Sequence, residues 1–126
     1  HRQNAIIQEN SKIPALIAAN IEAGGDGGVG GGTHFGYHVA IGATQDKENA
    51  YKMGYYGCKE AAAVGCNWTF APIVDVNYNW RNCVVSDRCF SSDPEVVLSL
   101  YTMPPFAQEA SLPLIYIVRP CSRTTV

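Results

Sequence analysis

A glycine-dense stretch at positions 24–36 constrains the fold of this chain more than any other feature. Eight of its thirteen residues are glycine. Because glycine loses more backbone freedom on ordering than any other residue, a regular helix is disfavoured there. The stretch therefore predicts a long loop, either mobile or shaped around a ligand, and the segments on either side of it must supply the regular structure.

The flanking segments have the patterns of a strand, a helix and a second strand. Positions 13–19 form a continuous apolar run with Pro14 near its start, which is typical of a strand covered on both faces. Positions 44–64 have a helical period, with Thr44 or Asp46 as the N-cap and Gly65 closing the C-terminus. Positions 67–76 form a second apolar run. In a strand–helix–strand unit the two strands are almost always parallel. The loops that follow the two strands therefore lie on the same edge of the sheet, here called the rim, which is where α/β proteins place their ligand sites.

The remainder of the chain predicts a second main helix and a third strand. Asp93 caps well, Pro94 suits the first helical position and Glu95 suits the positive end of the helix dipole. Positions 112–118 form another apolar run. The expected fold is α/β, with parallel strands and two main helices in one domain over 1–126. A complete (β/α)8 barrel typically needs about 250 residues, so a barrel interpretation makes this chain an incomplete TIM-barrel-like fragment.

Composition excludes several classes of partner. The formal net charge is −2, and nine Lys and Arg are scattered among eleven Asp and Glu, so nucleic acid is not expected as a partner. No apolar run approaches the roughly 20 residues of a membrane-spanning helix. Five cysteines without a CxxC pair argue against a disulfide framework and a zinc ribbon, and predict a reducing, cytoplasmic location. Asn67 starts a glycosylation sequon but also a strand-like run, which predicts a buried, unmodified side chain.

Two motifs invite functional interpretations that their surroundings oppose. The stretch from Gly25 to Gly30 fits the dinucleotide-binding pattern G-x-G-x-x-G, but that function requires a helix directly after it, and no helical period follows. His34 and His38 are four apart, as metal ligands on one helix would be, but the glycines around them disfavour a helix. We therefore predict neither a metal site nor a cofactor.

Polar and aromatic residues near the predicted rim favour a carbohydrate ligand instead. The rim carboxylates are Glu22, Asp26, Asp75, Asp87 and Asp93. Paired carboxylates are the groups that cleave glycosidic bonds. Arg81 and Arg88 can form paired hydrogen bonds to vicinal hydroxyls, and the flat faces of Trp68, Tyr78 and Trp80 can stack on sugars. The capping role of Asp93 and the solvation of Asp26 in a loop already explain these two residues, whereas Asp75 and Asp87 lie beside Arg or Asn residues in a polar segment after an apolar strand.

Several motifs in a fixed order resemble the N-terminal barrel of glycoside hydrolase family 3. They lie at positions 13–20, 42–44, 50–51, 67–76, 81–82 and 88–94, and the resemblance covers about 13–100, with 101–126 divergent. The family contains β-glucosidases and β-N-acetylhexosaminidases, which retain configuration through a covalent intermediate on an Asp. The resemblance implies sugar-binding roles for Asn20 and Arg88, and a role for Asp75 in organising the rim.

This chain departs from the family pattern in ways that limit its expected activity. Asn20 stands where the family usually has Asp, Ser91 where it has Gly, and Cys83 where it often has Pro. The segments that carry the nucleophile and the acid/base residue are absent, so no catalytic residue is predicted and the fragment is expected to be inactive alone. The candidate substrate-binding residues are Asn20, Glu22, Asp75, Arg81 and Arg88. A homo-oligomer covering the exposed sheet edges is also expected. The alternatives are a non-catalytic carbohydrate-binding or structural domain and a nucleotide-binding module.

Overall fold

The chain folds into four helices and two short strands in a computed structural model that describes residues 2–101. In chain order the elements are α1 (Arg2–Asn10), β1 (Ala18–Ala19), α2 (His38–Thr44), α3 (Lys47–Ala63), β2 (Trp68–Thr69) and α4 (Pro94–Tyr101). Two 3-10 turns, Gly25–Gly27 and Ser86–Arg88, lie in the loops that follow the strands. The third strand predicted at 112–118 lies outside the described residues.

The two strands pair in parallel, as the strand–helix–strand pattern predicts. Ala18 lies opposite Trp68, and Ala19 opposite Thr69. Both strands are much shorter than the apolar runs that contain them. For β1 the Asn67 side chain gives the reason, because it accepts from the Ile17 N–H at 2.7 Å and donates to the Ala15 carbonyl at 2.9 Å, in place of backbone pairing of these two groups before Ala18. These two bonds give Asn67 a structural role, but the residue is half-buried and not fully buried as predicted.

Helix α2 corrects the expectation that the glycine-rich region holds no helix before position 44. It begins at His38 and ends where Gln45 adopts a left-handed conformation with φ 51°. Asp46 then caps α3 by accepting from the Glu48 N–H at 2.9 Å. Gly42 is required within α2, because a Cβ at that position would overlap the carbonyl group of Phe90. The glycine therefore permits close packing that offsets its low helix propensity.

Residues 2–101 contain more helices than the two main ones predicted, because the sequence analysis also missed α1. Helix α1 buries none of its residues, so it has no apolar face that a sequence pattern would reveal. Side chains anchor it instead, since Asn4 donates to the Val64 carbonyl at 2.9 Å and Gln8 bonds both backbone groups of Ala15. Helix α4 begins as predicted, with Asp93 accepting from the Glu95 N–H at 2.9 Å.

Helix α3 divides the interior into two apolar clusters. One lies towards the sheet and contains Ala19, Ile21, Cys58, Ala61, Cys66 and Ala71. The other lies towards α2 and α4 and contains Ile41, Ala50, Met53, Phe90, Val97 and Leu100. At Gly57 the α3 backbone packs against the start of the glycine loop, where a Cβ would lie in ordinary contact, 3.5 Å from Gly24. The helix thereby fixes the loop that follows β1.

Four of the five cysteines lie in the part of the chain that the structure describes. Cys58, Cys66, Cys83 and Cys89 are free thiols, and the fifth cysteine lies outside the described residues. Burial raises the pKa of the Cys58 thiol to about 11, which makes it unreactive at neutral pH.

Within residues 2–101, no helix is both long enough and apolar enough to cross a membrane.

Candidate carbohydrate site

An ion pair between Glu22 and Arg88 lies at the centre of the rim. The Nε and Nη2 groups of Arg88 each donate to a different carboxylate oxygen of Glu22, both at 2.7 Å. The Glu22 side chain is 14% exposed and that of Arg88 is 35% exposed. The hydrogen bonds that Arg88 donates to Glu22 are the main cause that raises the pKa of Arg88, so the guanidinium stays charged. This planar, two-bond arrangement holds both side chains in one orientation.

Local structure in the two loops positions this pair. Glu22 comes shortly after β1, and Arg88 ends the 3-10 turn that follows β2. The Arg88 N–H donates to the Val85 carbonyl at 2.8 Å, and its Nη1 donates to the Val84 carbonyl at 3.2 Å. Asn82 starts the turn, because its Oδ1 accepts from the Val84 N–H at 3.0 Å. Asn82 therefore shapes the loop, and its side-chain oxygen is directed at the backbone.

Four of the five candidate binding residues line one groove. Its volume is about 440 Å³, and it is lined by Asn20, Glu22, Phe70, Ile73, Asp75, Val84 and Arg88. The fold thus brings together Asn20 and Arg88, which come from the loops after different strands. The residues combine amide, carboxylate and guanidinium groups with an apolar wall, which is the composition of a small-molecule site. That these residues bind sugar stays a prediction.

Arg81 and two of the candidate aromatic residues lie apart from this groove. The Arg81 guanidinium stacks over the ring of Trp80 at 4.8 Å, and the Trp80 side chain is 79% exposed. Tyr78 is also exposed. Trp68 is half-buried and packs against Phe70, with ring centroids 4.9 Å apart. The residues that line the groove include neither Arg81 nor these three aromatic rings.

The two histidines considered as a metal pair have separate environments. His38 is buried at 1% exposure and packs edge-on against Phe90 at 4.6 Å. Burial lowers the pKa of His38 to about 4; Glu22 opposes the shift and Arg88 adds to it. His34 lies in the exposed loop, where its Nδ1 is 2.6 Å from Oδ2 of Asp26. No three His, Cys, Asp or Glu side chains of residues 2–101 form a group that could hold a metal ion.

The Asp26–His34 pair belongs to a second groove that sequence reasoning missed. This groove has a volume of about 270 Å³ and is lined by Asn20, Glu22, Ala23, Asp26, Gly27, His34 and Tyr37. The sequence carried only a weak signal for this pair, because two side chains eight residues apart in a loop have no fixed distance from each other. The pairing depends on an antiparallel bridge between Gly24 and His34, which folds the loop back on itself.

The glycine loop does not have the form of a nucleotide-binding site. After Gly30 the chain turns and forms the bridge to Gly24, and the next helix begins at His38. Phosphate binding by G-x-G-x-x-G depends on the N-terminus of a helix directly behind the glycines. The loop is instead fixed by Glu60 of α3, which accepts from the Thr33 N–H at 2.8 Å and from the Thr33 hydroxyl at 2.6 Å.

Comparison with known families agrees with the resemblance of the motifs. Residues 1–103 match the sequence profile described as "Glycosyl hydrolase family 3 N terminal domain". The chain belongs to glycoside hydrolase family 3. The match includes α1, which lies before the first motif recognised in the sequence.

Curated relatives within family 3 are longer proteins. A β-N-acetylglucosaminidase/β-glucosidase of Cellulomonas fimi is 34% identical over 94 residues, which is 75% of this chain and 17% of the relative. A β-hexosaminidase A of Pseudoalteromonas piscicida is 38% identical over 103 residues, or 78% of this chain and 17% of the relative. The chain thus spans about a sixth of these relatives.

Solved structures agree with the fold. A β-glucoside phosphorylase structure is 31% identical, with a TM-score of 0.82, and the match covers 94% of this chain and 22% of that one. A family 3 β-N-acetylglucosaminidase from a Paenibacillus species is 30% identical, with a TM-score of 0.77, and the match covers 91% of this chain and 23% of that one. The α/β fold, with its small parallel sheet and four helices, is that of the N-terminal domain of the family.

Proposed function

We propose that this chain supplies sugar-binding groups of a family 3 glycoside hydrolase, which cleaves O-glycosyl bonds with retention of configuration. The observation that carries the proposal is the Glu22–Arg88 ion pair, which lines a groove together with Asn20 and Asp75. The names of the relatives, which act on N-acetylglucosaminides or glucosides, support a pyranoside ligand of this class.

The polar groups of the groove match the hydroxyls of a sugar ring. Arg88 has five N–H donors, of which three are directed at Glu22 and Val84, and its guanidinium lines the groove in which a ligand would lie. The Asn20 amide both donates and accepts, and the Asp75 carboxylate accepts hydrogen bonds from hydroxyls. Phe70 and Ile73 supply the apolar wall against which the C–H face of a sugar can pack.

We propose that the chain does not hydrolyse glycosides on its own. Both carboxylate oxygens of Glu22 already accept from Arg88, which makes Glu22 a weaker nucleophile than a carboxylate without such a partner. A retaining glycosidase needs two carboxyl groups about 5 Å apart, one of them free to attack. The nucleophile and the acid/base group would then come from other strands of a (β/α)8 barrel, of which β1, the helices after it and β2 correspond to the first units.

The binding proposal is tested by NMR titration of the 126-residue chain with N-acetylglucosamine and with glucose. We expect saturable shifts of the backbone amides around Glu22 and Arg88 for one of the two sugars, and loss of these shifts in Arg88→Ala. Arg88→Lys should weaken binding by about tenfold, because an ammonium group lacks the planar pair of donors. The absence of saturable shifts with either sugar would refute the proposal.

A second assay tests the proposed lack of activity. Incubation of the pure chain with the 4-nitrophenyl glycosides of both sugars should release nitrophenol at the rate of a buffer blank. Release that exceeds the blank and disappears in Asp75→Asn would contradict the proposal and identify a catalytic carboxylate within the chain.

A non-catalytic carbohydrate-binding domain is the second candidate. The Glu22–Arg88 pair favours it, because the two hydrogen bonds fix both side chains in one orientation, as a binding site requires. The two candidates differ in one outcome. A longer form of the chain that includes further barrel strands hydrolyses aryl glycosides if the chain belongs to an enzyme, and only binds sugars if it does not.

We also propose a cytoplasmic location and self-association for this chain. The free thiols Cys58, Cys66 and Cys89 are buried and unpaired, which suits a reducing compartment. Ile13 is 82% exposed and Leu16 is 60% exposed, next to the short parallel sheet. A second copy covering these apolar side chains would remove them from water.

A further inference from the structure

The second groove adjoins the proposed sugar-binding groove and shares two lining residues with it. Asn20 and Glu22 line both of them. The first groove extends from these two residues towards Arg88 and Asp75, and the second extends towards His34 and Tyr37. A ligand that fills the first groove would therefore meet the second at Asn20, and a longer ligand would pass from one into the other.

The walls of the second groove are held in place before any ligand binds. The Phe35 N–H donates to the Ala23 carbonyl at 2.7 Å, next to the bridge between Gly24 and His34. Glu60 holds the other side of the loop, and the hydrogen bonds from Thr33 lower the pKa of its carboxyl group. The loop is thus tied to α3 although it is rich in glycine, and a preformed site costs less to order on binding.

The functional groups of the second groove suit a neutral, hydroxylated ligand. Because Oδ2 of Asp26 accepts, Nδ1 of His34 donates, and Nε2 of the ring is left to form a hydrogen bond with a ligand. The second Asp26 oxygen is a further acceptor. Tyr37 is 42% exposed and meets the His34 ring edge-on at 6.3 Å, which presents an aromatic surface next to these acceptors. Tyr37 also lies near enough to Arg88 to contribute to the raised pKa of the guanidinium.

We propose that Asp26, His34 and Tyr37 form a second carbohydrate subsite, which binds a further sugar unit attached to the one held by Arg88 and Asn20. This inference rests on the proposed function, because it extends the same groove. It names the ligand class as a disaccharide or longer oligosaccharide, and His34 and Tyr37 as residues that determine the preferred chain length.

The test compares a monosaccharide with its disaccharide on the full 126-residue chain. The probes are N-acetylglucosamine and its β-1,4-linked disaccharide, with glucose and cellobiose as a second pair, titrated by NMR. We expect the disaccharide of one pair to bind about tenfold more tightly than its monosaccharide, with amide shifts at His34 and Tyr37 that the monosaccharide does not cause. His34→Asn and Tyr37→Ala should each remove about fivefold of the disaccharide affinity and leave the monosaccharide Kd within about twofold.

Matched controls and distinct outcomes separate the two proposals. Lys52→Ala alters an exposed residue of α3 that lines neither groove, so it should leave both affinities unchanged. Tyr37→Phe keeps the ring and should keep most of the disaccharide affinity. Equal binding of monosaccharide and disaccharide, or disaccharide binding insensitive to His34→Asn and Tyr37→Ala, would overturn the second subsite alone. Failure of every sugar to bind would overturn the proposed function and the subsite with it.

Discussion

Replacing Arg88 with alanine tests the ion pair on which the candidate site depends. The structure sets the expected cost between two limits. Exposed pairs contribute about 0.2–1 kcal/mol, and breaking a buried pair costs about 3–5 kcal/mol. Here the Glu22 side chain is 14% exposed, but that of Arg88 is 35% exposed, so water screens part of the interaction. With two charge-assisted hydrogen bonds of 2.7 Å lost, we expect the free energy of unfolding to fall by about 2 kcal/mol.

The measurement is urea unfolding followed by circular dichroism, with a double-mutant cycle of Arg88→Ala and Glu22→Ala. A loss of about 2 kcal/mol corresponds to a drop in Tm of about 8 °C for a chain of this size. The two changes should be non-additive, with a coupling energy of about 1.5 kcal/mol, because each removes the same interaction.

A control pair on α3 calibrates the cycle. Lys52 and Glu48 are 3.5 Å apart, and both side chains are more than half exposed. Lys52→Ala should therefore cost less than about 0.5 kcal/mol. If the coupling energy between Glu22 and Arg88 is no larger than that of this exposed pair, the ion pair does not hold the rim together, and our account of the site is wrong.

Three further predictions follow from the packing. Gly42→Ala should lower the free energy of unfolding in urea by about 2–3 kcal/mol, because the new methyl group overlaps the Phe90 carbonyl. As a control, Gly30→Ala adds a methyl group to open space and should change the free energy of unfolding by less than about 0.5 kcal/mol. Equal effects of the two substitutions would contradict the packing of α2 against Phe90. The pKa of His38 is lowered from 6.5 to about 4, so the unfolded chain binds the extra proton first as the pH falls. Unfolding free energy should drop by about 3 kcal/mol more between pH 6.5 and 4 in the wild type than in His38→Leu, and parallel pH profiles of the two proteins would refute this. Sedimentation at micromolar concentration should show a dimer or larger species, and a purely monomeric chain would exclude the proposed self-association.

Short-range signals in the sequence were sufficient for several elements of the fold. The apolar period and the cap at Asp46 predict α3, and Asp93 with Pro94 predicts the start of α4. The parallel pairing of β1 and β2 follows from a helix between two apolar runs. The helix caps and the apolar period depend on neighbours within a few residues along the chain, so a sequence pattern records them, whereas the pairing of the strands was predicted from the general rule that such crossovers are parallel.

Other features were missed because contacts between distant residues decide them. Helix α2 forms although Gly42 opposes it, since the glycine fits against Phe90, which lies 48 positions further along the chain. Helix α1 buries no side chain and depends on Asn4 and Gln8 bonding to other segments. No local pattern distinguishes such a helix from a polar loop.

The candidate site shows the same division between local and distant information. By itself the sequence determined the family motifs and proposed five ligand-binding residues, namely Asn20, Glu22, Asp75, Arg81 and Arg88. Only the tertiary structure decided that Glu22 pairs with Arg88, that Arg81 stacks on Trp80 away from the groove, and that Asp26 meets His34. The physical reason is that residue type determines which bonds a side chain can form, whereas its partner is set by the packing of α3 and the strands, which brings together residues that are far apart in the chain.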